Sequence, residues 1–460
     1  MQYVSTRGEA PELGFEDVLL TGLARDGGLY VPAAWPTFTP EELRGLRGRS
    51  YQDTAFATVS KFTGSAVPEA ELKGMIAAAY ASFDHPAIAP LKQMDANQWL
   101  LELFHGPTLA FKDVAMQLLA RLMDWSLEKH GRKATIIGAT SGDTGGAAID
   151  AFKTSKNATT VILHPHGKVS NVQRRQMTTV DAPAIHNIAI EGNFDDCQAI
   201  VKSLFNDHAF RERVSLAGVN SINWARIMAQ IVYYVTSAVA LGAPDRKVSF
   251  CVPTGNFGDI FAGLVAKRMG VPVDRLIIAT NVNDILDRTL KTGRYEMRGV
   301  HASTSPSMDI QISSNFERLL YLAYGRDASA IQGLMSGLSQ SGSFSIHEKA
   351  LGAIRQEFDS SAVGEAETAA TIAQTLKATG ELLDPHSAVG FAVARKAKAS
   401  ESAMITLATA HPAKFPDAVE KASGVRPGLP PRLSHLLNAK ERFTILPNSA
   451  AAVRDFILTL

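Results

Sequence analysis

Cysteine is scarce in this chain of 460 residues, and neither sign of charge is in excess. Its two cysteines, Cys197 and Cys251, lie in neither a CxxC nor a metal-ligand spacing, so we expect no disulfide framework and a reducing compartment, the cytoplasm. The 46 basic and 45 acidic residues give no electrostatic basis for binding nucleic acid or an anionic membrane. The composition therefore excludes disulfide-rich secreted proteins and strongly charged nucleic-acid-binding proteins.

Long apolar runs and metal-binding clusters are also missing. The most membrane-like segment, residues 227–243, contains polar side chains such as Gln230 and Thr236, which indicates a buried helix of a soluble protein. Residues 1–8 have no apolar core and no cleavage signal, so no secretory targeting is expected. His164 and His166 have no third ligand in a suitable spacing, so no metal site is predicted.

The length predicts two or three domains. Residues 1–95 read as a separate N-terminal unit, in which residues 51–62 have the apolar spacing of a helix. From Trp99 onward, short apolar runs alternate with helical patterns, which is typical of parallel sheets covered by helices on both faces. The predicted strands are residues 99–104, 134–138, 159–163, 184–190, 248–252, 276–279 and 403–408. Their number fits two sheets, and the Ser- and Gly-rich residues 293–346 are interpreted as an insertion.

Lys112 is an unusual residue for its position. It follows Leu109, Ala110 and Phe111, and an apolar helical pattern begins directly after it. An ammonium in such surroundings tends to have a lowered pKa, and the neutral amine can then attack a carbonyl to form a Schiff base. The alternative is a lysine that extends from a helix start into solvent.

Two glycine-rich loops each follow a predicted strand and precede a helix. Thr140-Ser-Gly-Asp-Thr-Gly-Gly146 and Thr254-Gly-Asn-Phe-Gly-Asp259 have the position and composition of anion-binding loops, with backbone N–H groups and a helix N-terminus. Neither is a Walker A loop, since no Gly-Lys-Ser/Thr follows. Each could also be a plain capped turn, but two such loops in one chain weaken that alternative for both.

Arg226 stands directly before a strongly apolar helix. Its guanidinium could make a two-pronged contact with a phosphate, or it could form a buried ion pair. Thr409 and His411 follow the last predicted strand, where a solvent-exposed turn is the alternative. Residues 384–390, Asp-Pro-His-Ser-Ala-Val-Gly, are predicted to form a turn and suggest no role.

A lysine poised for a Schiff base, together with two anion-binding loops on parallel sheets, suggests pyridoxal phosphate as cofactor. The sequence also closely resembles the threonine synthases, of the fold type II (tryptophan synthase β-like) pyridoxal-phosphate enzymes, over almost its whole length. The resemblance rests on Tyr3-Val-Ser-Thr-Arg-Gly8, Asp26-Gly-Gly-Leu-Tyr-Val-Pro32, His105-Gly-Pro-Thr-Leu-Ala-Phe-Lys-Asp113, Gly138-Ala-Thr-Ser-Gly-Asp-Thr-Gly145, Gly255-Asn-Phe-Gly-Asp259 and Thr409-Ala-His-Pro-Ala-Lys-Phe415.

The resemblance implies a domain organisation and roles for individual residues. Residues 1–95 would be the N-terminal domain, 96–130 with 246–460 the large cofactor-binding domain, and 131–245 the small domain. Lys112 would carry pyridoxal phosphate as a Schiff base, Thr409 would contact its ring nitrogen, and Asp143 would lie beside its ring hydroxyl, where many relatives have asparagine. The remaining implied contacts are Gly255, Asn256, Phe257 and Gly258 to the cofactor phosphate, and Thr140, Ser141, Thr144, Lys168, Asn220, Ser221 and Arg226 to the substrate.

The implied reaction converts O-phospho-L-homoserine and water into L-threonine and phosphate. A related alternative is a phospho-lyase that eliminates phosphate without adding water and so releases a 2-oxo acid. A second alternative is a non-catalytic protein that binds a phosphorylated metabolite, for which loss of the lysine would be the signature, and Lys112 is present. The likeness further implies a small-molecule substrate, no nucleic-acid or membrane partner, and a monomer.

Overall fold

The computed structural model of the chain describes residues 1–218, 220–398 and 400–460. An N-terminal unit of four helices and an antiparallel strand pair comes first: β1 (Tyr3–Ser5), α1 (Phe15–Thr21), β2 (Tyr30–Pro32), α2 (Pro40–Gly45), α3 (Tyr51–Thr63) and α4 (Glu69–Tyr80). Capping boxes at Thr39 and Ser50 fix the starts of α2 and α3, since in each the side chain and the third helical residue satisfy each other's backbone N–H groups. The predicted helix over 51–62 is therefore confirmed.

Strands and helices then alternate through the first half of the α/β region. These elements are β3 (Leu91–Gln93), β4 (Gln98–Glu102), α5 (Lys112–Lys129), β5 (Ala134–Ala139), α6 (Asp143–Phe152), β6 (Ala158–Pro165), α7 (Asn171–Thr178), β7 (Ile185–Glu191), α8 (Phe194–Asn206), α9 (His208–Arg213), β8 (Leu216–Gly218) and α10 (Trp224–Ala240). The apolar runs predicted as strands over 134–138, 159–163 and 184–190 are confirmed as β5, β6 and β7.

The second half continues the alternation and includes the predicted insertion. Its elements are β9 (Val248–Pro253), α11 (Gly258–Arg268), β10 (Val273–Thr280), α12 (Ile285–Thr292), β11 (Arg294–Glu296), α13 (Phe316–Ala323), α14 (Ala328–Ser341), β12 (Ser343–Ser345), α15 (Glu348–Glu357), β13 (Phe358–Ala362), α16 (Glu365–Thr379), α17 (Pro385–Lys396), β14 (Ala403–Ala408), α18 (Pro416–Ser423), β15 (Thr444–Pro447) and α19 (Ala450–Ile457). Three short 3₁₀ turns cover Pro306–Met308, Pro412–Lys414 and Pro431–Leu437.

Two sheets form the framework, as predicted. The larger has six strands in the order β13-β10-β9-β14-β4-β3, parallel except for the edge strand β3, and the smaller has five parallel strands in the order β15-β7-β6-β5-β8. The loops after β5 and β9, which hold the two glycine-rich motifs, therefore lie at the carboxyl ends of parallel strands. The predicted fold class, α/β with two parallel sheets and an additional N-terminal domain, is confirmed.

Two segments depart from the predicted domain boundaries. The C-terminal strand β15 pairs with β7, placing residues 444–447 in the smaller sheet although residues 246–460 were assigned to the large domain. It covers an edge of β7 that would otherwise be open, and Val453 and Ile457 of α19 complete the apolar cluster behind it. Helix α10 was assigned to the small domain, yet it packs against α3, α5 and α11 because it is apolar almost all round.

The segment 384–390 is helical rather than the predicted turn. Asp384 caps α17, and its carboxylate accepts hydrogen bonds from the N–H groups of His386 (2.9 Å) and Ser387 (3.1 Å). Pro385 stands at the first helical position, where its missing N–H costs nothing. No helix among the described residues is long and apolar enough to cross a membrane.

The N-terminal unit is anchored to the helix that supports the second glycine-rich loop. Glu317 on α13 accepts hydrogen bonds from Thr6 Oγ1 (2.6 Å), Arg7 Nε (3.1 Å) and Arg7 Nη2 (3.0 Å). Asn315, at the start of α13, bonds the backbone of that loop. The motif Tyr3-Val-Ser-Thr-Arg-Gly8 thus contributes to positioning the loop.

Candidate active site

The segment that carries Lys112 is joined to the segment that carries Thr409. Ala110 and Ala410 form an antiparallel bridge, the Phe111 N–H donates to the Thr409 carbonyl (2.9 Å), and the His411 N–H donates to the Leu109 carbonyl (3.0 Å). Two motifs about three hundred residues apart in sequence therefore form one rigid unit at the start of α5.

Lys112 is the first residue of α5 and is buried. Its Nζ lies 3.3 Å from Asp143 Oδ2 and 3.2 Å from Ser307 Oγ, and 5.1 Å from the centre of the Phe111 ring. Burial lowers the pKa of Lys112; the Asp143 carboxylate opposes this shift, while the cations of Lys414 and Arg226 reinforce it. Burial thus favours the neutral amine of Lys112 more than solvent would.

Asp143 lies at the start of α6, between two lysines. Its Oδ1 accepts a hydrogen bond from Gln173 Nε2 (2.8 Å) and pairs with Lys414 Nζ at 3.0 Å, whereas its Oδ2 faces Lys112 and Ser307. Burial alone would raise the pKa of Asp143, but the two ammonium groups and Gln173 hold it well below its usual range. The carboxylate is therefore ionised at neutral pH.

The first glycine-rich loop is closed partly on itself. Thr140 Oγ1 accepts hydrogen bonds from the N–H groups of Gly142 and Gly145, both at 2.9 Å. Thr140 therefore stabilises the turn of its own loop, as the capped-turn alternative expects, and its hydroxyl keeps one O–H to donate. Ser141 is exposed, and Thr144 faces the cavity that contains Lys112.

Gly142 holds a position where a larger residue would disturb Asp143. An added Cβ would lie 2.5 Å from the Gln173 side chain, and φ is +151°. We expect Gly142→Ala to lower the free energy of unfolding by about 1–3 kcal/mol and to weaken cofactor retention by moving Gln173 off Asp143. Urea unfolding and cofactor dissociation rates would measure the two effects. Gly131→Ala controls for backbone strain, since Gly131 has φ +60° and open space around it. Equal cofactor retention in both variants would show that displacement of Gln173 does not weaken cofactor binding.

The second loop turns its carbonyl groups away from the cavity. The Gly255 carbonyl accepts from Ser313 Oγ (2.7 Å), and the Asn256 carbonyl accepts from the N–H and the side-chain amide of Asn315, both at 3.0 Å. Phe257 adopts a left-handed conformation (φ +63°), and a Cβ on Gly255 would lie 2.8 Å from the Ser307 carbonyl oxygen. The loop is thereby held with its N–H groups available to an anion at the start of α11.

Arg226 lies in the same cavity as this loop. It is buried, and its Nε and Nη1 have no hydrogen-bond partner among the described residues. Burial lowers its pKa to about 10, so it keeps its charge at neutral pH. Buried donors without partners are costly unless an anion meets them, so the buried-ion-pair alternative finds no support here, whereas a phosphate fits.

Nine of the predicted site residues line this one cavity: Lys112, Thr144, Ser221, Arg226, Gly255, Asn256, Phe257, Gly258 and Thr409. Asp143 reaches it through its contact with Lys112. Lys168 and Asn220 are exposed, and neither is among the lining residues. Helix α10 is capped by Asn223, because the Asn223 side chain accepts from the Ala225 N–H (2.9 Å).

Several residues at the site were assigned no role from the sequence. Ser307 bridges Lys112 and Asp143, and its N–H donates to His386 Nε2 (3.2 Å), while Asp384 contacts His386 Nδ1 (2.8 Å). Lys414 contacts Asp143. The pairing of Asp384 with Pro385, a capping residue before proline, could have revealed the helix start and so placed His386; Ser307 lies in a serine-rich segment with no distinguishing local signal.

The residues present fit pyridoxal phosphate. A lysine with a lowered pKa suits its aldehyde, and the Gly255–Gly258 loop offers N–H groups for its phosphate. Nε and Nη1 of Arg226, which have no partner in the part of the chain that the structure describes, are further donors for a phosphate group. Thr409 is buried in the same cavity, and its neutral hydroxyl could face the ring nitrogen of the cofactor.

Comparison with known proteins agrees with this geometry. Three family models match the chain: "Threonine synthase N terminus" over residues 2–80, "Pyridoxal-phosphate dependent enzyme" over 85–409 and "Threonine synthase, C-terminal" over 387–457. Threonine synthase from Pseudomonas aeruginosa is 54% identical over 459 residues, covering 99% of this chain and 98% of the relative.

Solved structures give the same result. The crystal structure of PLP-bound threonine synthase from Brucella melitensis superposes with a TM-score of 0.98 at 62% identity, covering 99% of this chain and 98% of that one. The yeast threonine synthase structure superposes with a TM-score of 0.95 at 38% identity, with the same coverage.

Proposed function

Because this chain belongs to the threonine synthase family of pyridoxal-phosphate-dependent enzymes, we propose that it converts O-phospho-L-homoserine and water into L-threonine and phosphate, the last step of threonine biosynthesis. The observation that carries the proposal is a single cavity that contains both Lys112 and the buried guanidinium of Arg226, two donors of which have no partner within residues 1–218, 220–398 and 400–460. A pyridoxal-phosphate-dependent elimination of phosphate from an amino acid uses both groups, the amine to hold the cofactor and the guanidinium to meet the leaving phosphate.

The cofactor would be held by residues of both sheets. When bound, pyridoxal phosphate supplies an aldehyde that condenses with amines and a ring that withdraws electrons from the substrate's Cα. We assign its attachment to Lys112, its phosphate to Gly255, Asn256, Phe257 and Gly258, and its ring nitrogen to Thr409. Asp143 is assigned to the ring hydroxyl, which it would meet as a carboxylate.

Lys112 would then move protons. Its amine would remove the proton from the substrate's Cα, a task that suits a lysine whose pKa is lowered by burial. Ser307, 3.2 Å from Nζ, would hold the amine in place while it is free. Loss of a Cβ proton, departure of phosphate from Cγ and return of a proton to Cγ follow. Addition of water, with its oxygen at Cβ and a proton returned to Cα, completes the balance.

The departing phosphate requires fixed positive charge and donors. We assign this task to Arg226, with Ser221 and Thr144, which line the same cavity. Thr140 is assigned to holding the first loop, since its hydroxyl oxygen accepts two backbone N–H groups. The other implied substrate contacts, Ser141, Lys168 and Asn220, are exposed. We therefore rank them below Arg226, Ser221 and Thr144 as partners of the phosphate.

Product analysis tests the proposal. The purified protein loaded with pyridoxal phosphate is expected to form threonine and phosphate in equal amounts from O-phospho-L-homoserine, and to form no threonine from homoserine, which lacks the phosphate. Release of a 2-oxo acid in place of threonine would establish the phospho-lyase alternative. Binding of O-phospho-L-homoserine without any product would establish the non-catalytic one.

We further propose that the protein works in the cytoplasm as a monomer. Its two cysteines are buried free thiols, which suits a reducing compartment. Light scattering coupled to size-exclusion chromatography would test the monomer, since a dimer would elute at twice the mass of 49.4 kDa.

A further inference from the structure

Lys414 is a second buried lysine at the site, and the assignments above give it no task. It lies in the 3₁₀ turn after β14, and its side chain is 1% exposed. Its Nζ lies 3.0 Å from Asp143 Oδ1 and donates to the Thr108 carbonyl (2.6 Å) and to Gln176 Oε1 (2.8 Å). Three oxygen partners fix one ammonium in one orientation.

The two lysines use different oxygens of the same carboxylate. Oδ1 of Asp143 faces Lys414 and Gln173, and Oδ2 faces Lys112 and Ser307. A buried carboxylate with a single lysine neighbour would hold that lysine in its charged form, because charges inside proteins are stable only in pairs. A lysine held in that way could neither condense with an aldehyde nor accept a proton.

We propose that Lys414 is a positioning residue that neutralises Asp143, so that Lys112 can lose its proton while Asp143 stays ionised. With Lys112 neutral, Asp143 and Lys414 form a pair with no net charge, and neither member of that pair is left as an unpaired charge. This inference rests on the proposed role of Lys112.

The other charged groups around the site do not substitute for Lys414. The groups that face Lys112 and Asp143 from neighbouring elements are Arg226 on α10, His386 on α17 and Asp113 on α5. The charge of Lys414 also acts on Asp113, whose pKa it lowers. Asp113 accepts hydrogen bonds from the N–H (2.8 Å) and hydroxyl (2.6 Å) of Thr108, and His386 is paired with Asp384. Among the described residues, Lys414 and Lys112 are the cations that contact Asp143 within 4.0 Å.

The test measures the pKa of the Lys112 amine in the full-length apoprotein. The rate at which the apoprotein captures pyridoxal phosphate, followed by absorbance across pH, has a midpoint set by the fraction of neutral lysine. In Lys414→Gln, which removes the charge but keeps a donor, Asp143 acts on Lys112 alone. We expect the midpoint to rise by about one pH unit or more, and capture near neutral pH to slow about tenfold.

Variants at Asp143 change the charge balance in the opposite direction. Asp143→Asn leaves Lys414 as an unpaired cation beside Lys112, so the capture midpoint of this variant should fall below that of the wild type. The double variant Asp143→Asn/Lys414→Gln should return to within about half a pH unit of the wild type, since the charge is again balanced. Lys421→Met, which removes an exposed lysine from α18, should change nothing.

An unchanged midpoint in Lys414→Gln would overturn the proposal. So would a double variant whose midpoint equals that of either single variant. If Lys414→Gln fails to fold, Asp143→Asn and the double variant still decide it. The readout does not use the product, so a wild type that captures the cofactor without forming threonine would refute the proposed function alone. Capture with an unchanged profile by Lys112→Ala would refute the assignment of Lys112.

Discussion

Lys112→Ala is expected to reduce kcat by a factor of at least about 10³, because the variant loses both the amine that holds the cofactor and the base that moves the Cα proton. The absorbance of protein-bound pyridoxal phosphate should also shift to that of the free aldehyde. Turnover of O-phospho-L-homoserine and a visible absorbance spectrum measure the two losses on one sample.

Unfolding should not contribute to this loss. Lys112 is a buried amine at the first position of α5, where burial and the helix dipole both disfavour its charged form. Asp143 keeps its contacts with Lys414 and Gln173 when Lys112 is removed. The melting temperature of the apoprotein should therefore stay equal or rise.

Lys133→Ala is the matched control, since it removes an exposed lysine just beyond the same helix and should leave turnover and spectrum unchanged. A Lys112→Ala variant that kept the wild-type spectrum would show that another amine binds the aldehyde. Retained turnover would remove the lysine from the mechanism.

The parts of the site that could be predicted from the sequence follow from local rules. A glycine-rich loop after a buried strand must lie at the carboxyl end of that strand, and parallel strands bring such ends together. This places Thr144 and the Gly255–Gly258 loop without any coordinates. The lysine is detectable for a similar reason, since a charged residue inside an apolar pattern stands out.

The remaining parts depend on contacts between distant segments. Ser307 reaches Lys112 only because His386 and the loop around Gly255 fix its backbone, and nothing in its own neighbourhood signals this. The same limit explains the error about the C-terminal strand β15, whose four residues join the smaller sheet through an open edge on β7 rather than through any pattern of their own. The first glycine loop shows that a motif's composition does not say whether its N–H groups face a ligand or a threonine of the same loop.

Arg226→Met is expected to have opposite effects on catalysis and on stability. The arginine is buried, and two of its nitrogens have no partner among the described residues, so the apoprotein bears a desolvation cost that a methionine of similar length would remove. We expect the free energy of unfolding of the apoprotein to rise by about 1–2 kcal/mol. The same substitution should lower kcat/KM for O-phospho-L-homoserine by a factor of about 10²–10³, because it removes a preorganised donor to the leaving group.

Inorganic phosphate separates the two effects in a direct way. A ligand that binds only the folded state raises the melting temperature in proportion to the logarithm of its concentration, so phosphate should stabilise the wild-type apoprotein and should stabilise Arg226→Met much less. Arg213→Met, which removes an exposed arginine at the end of α9, should respond to phosphate as the wild type does. If Arg226→Met were instead less stable than the wild type without phosphate, the arginine would be satisfied within the protein, and its unpaired donors could no longer be the reason for assigning it to the leaving group.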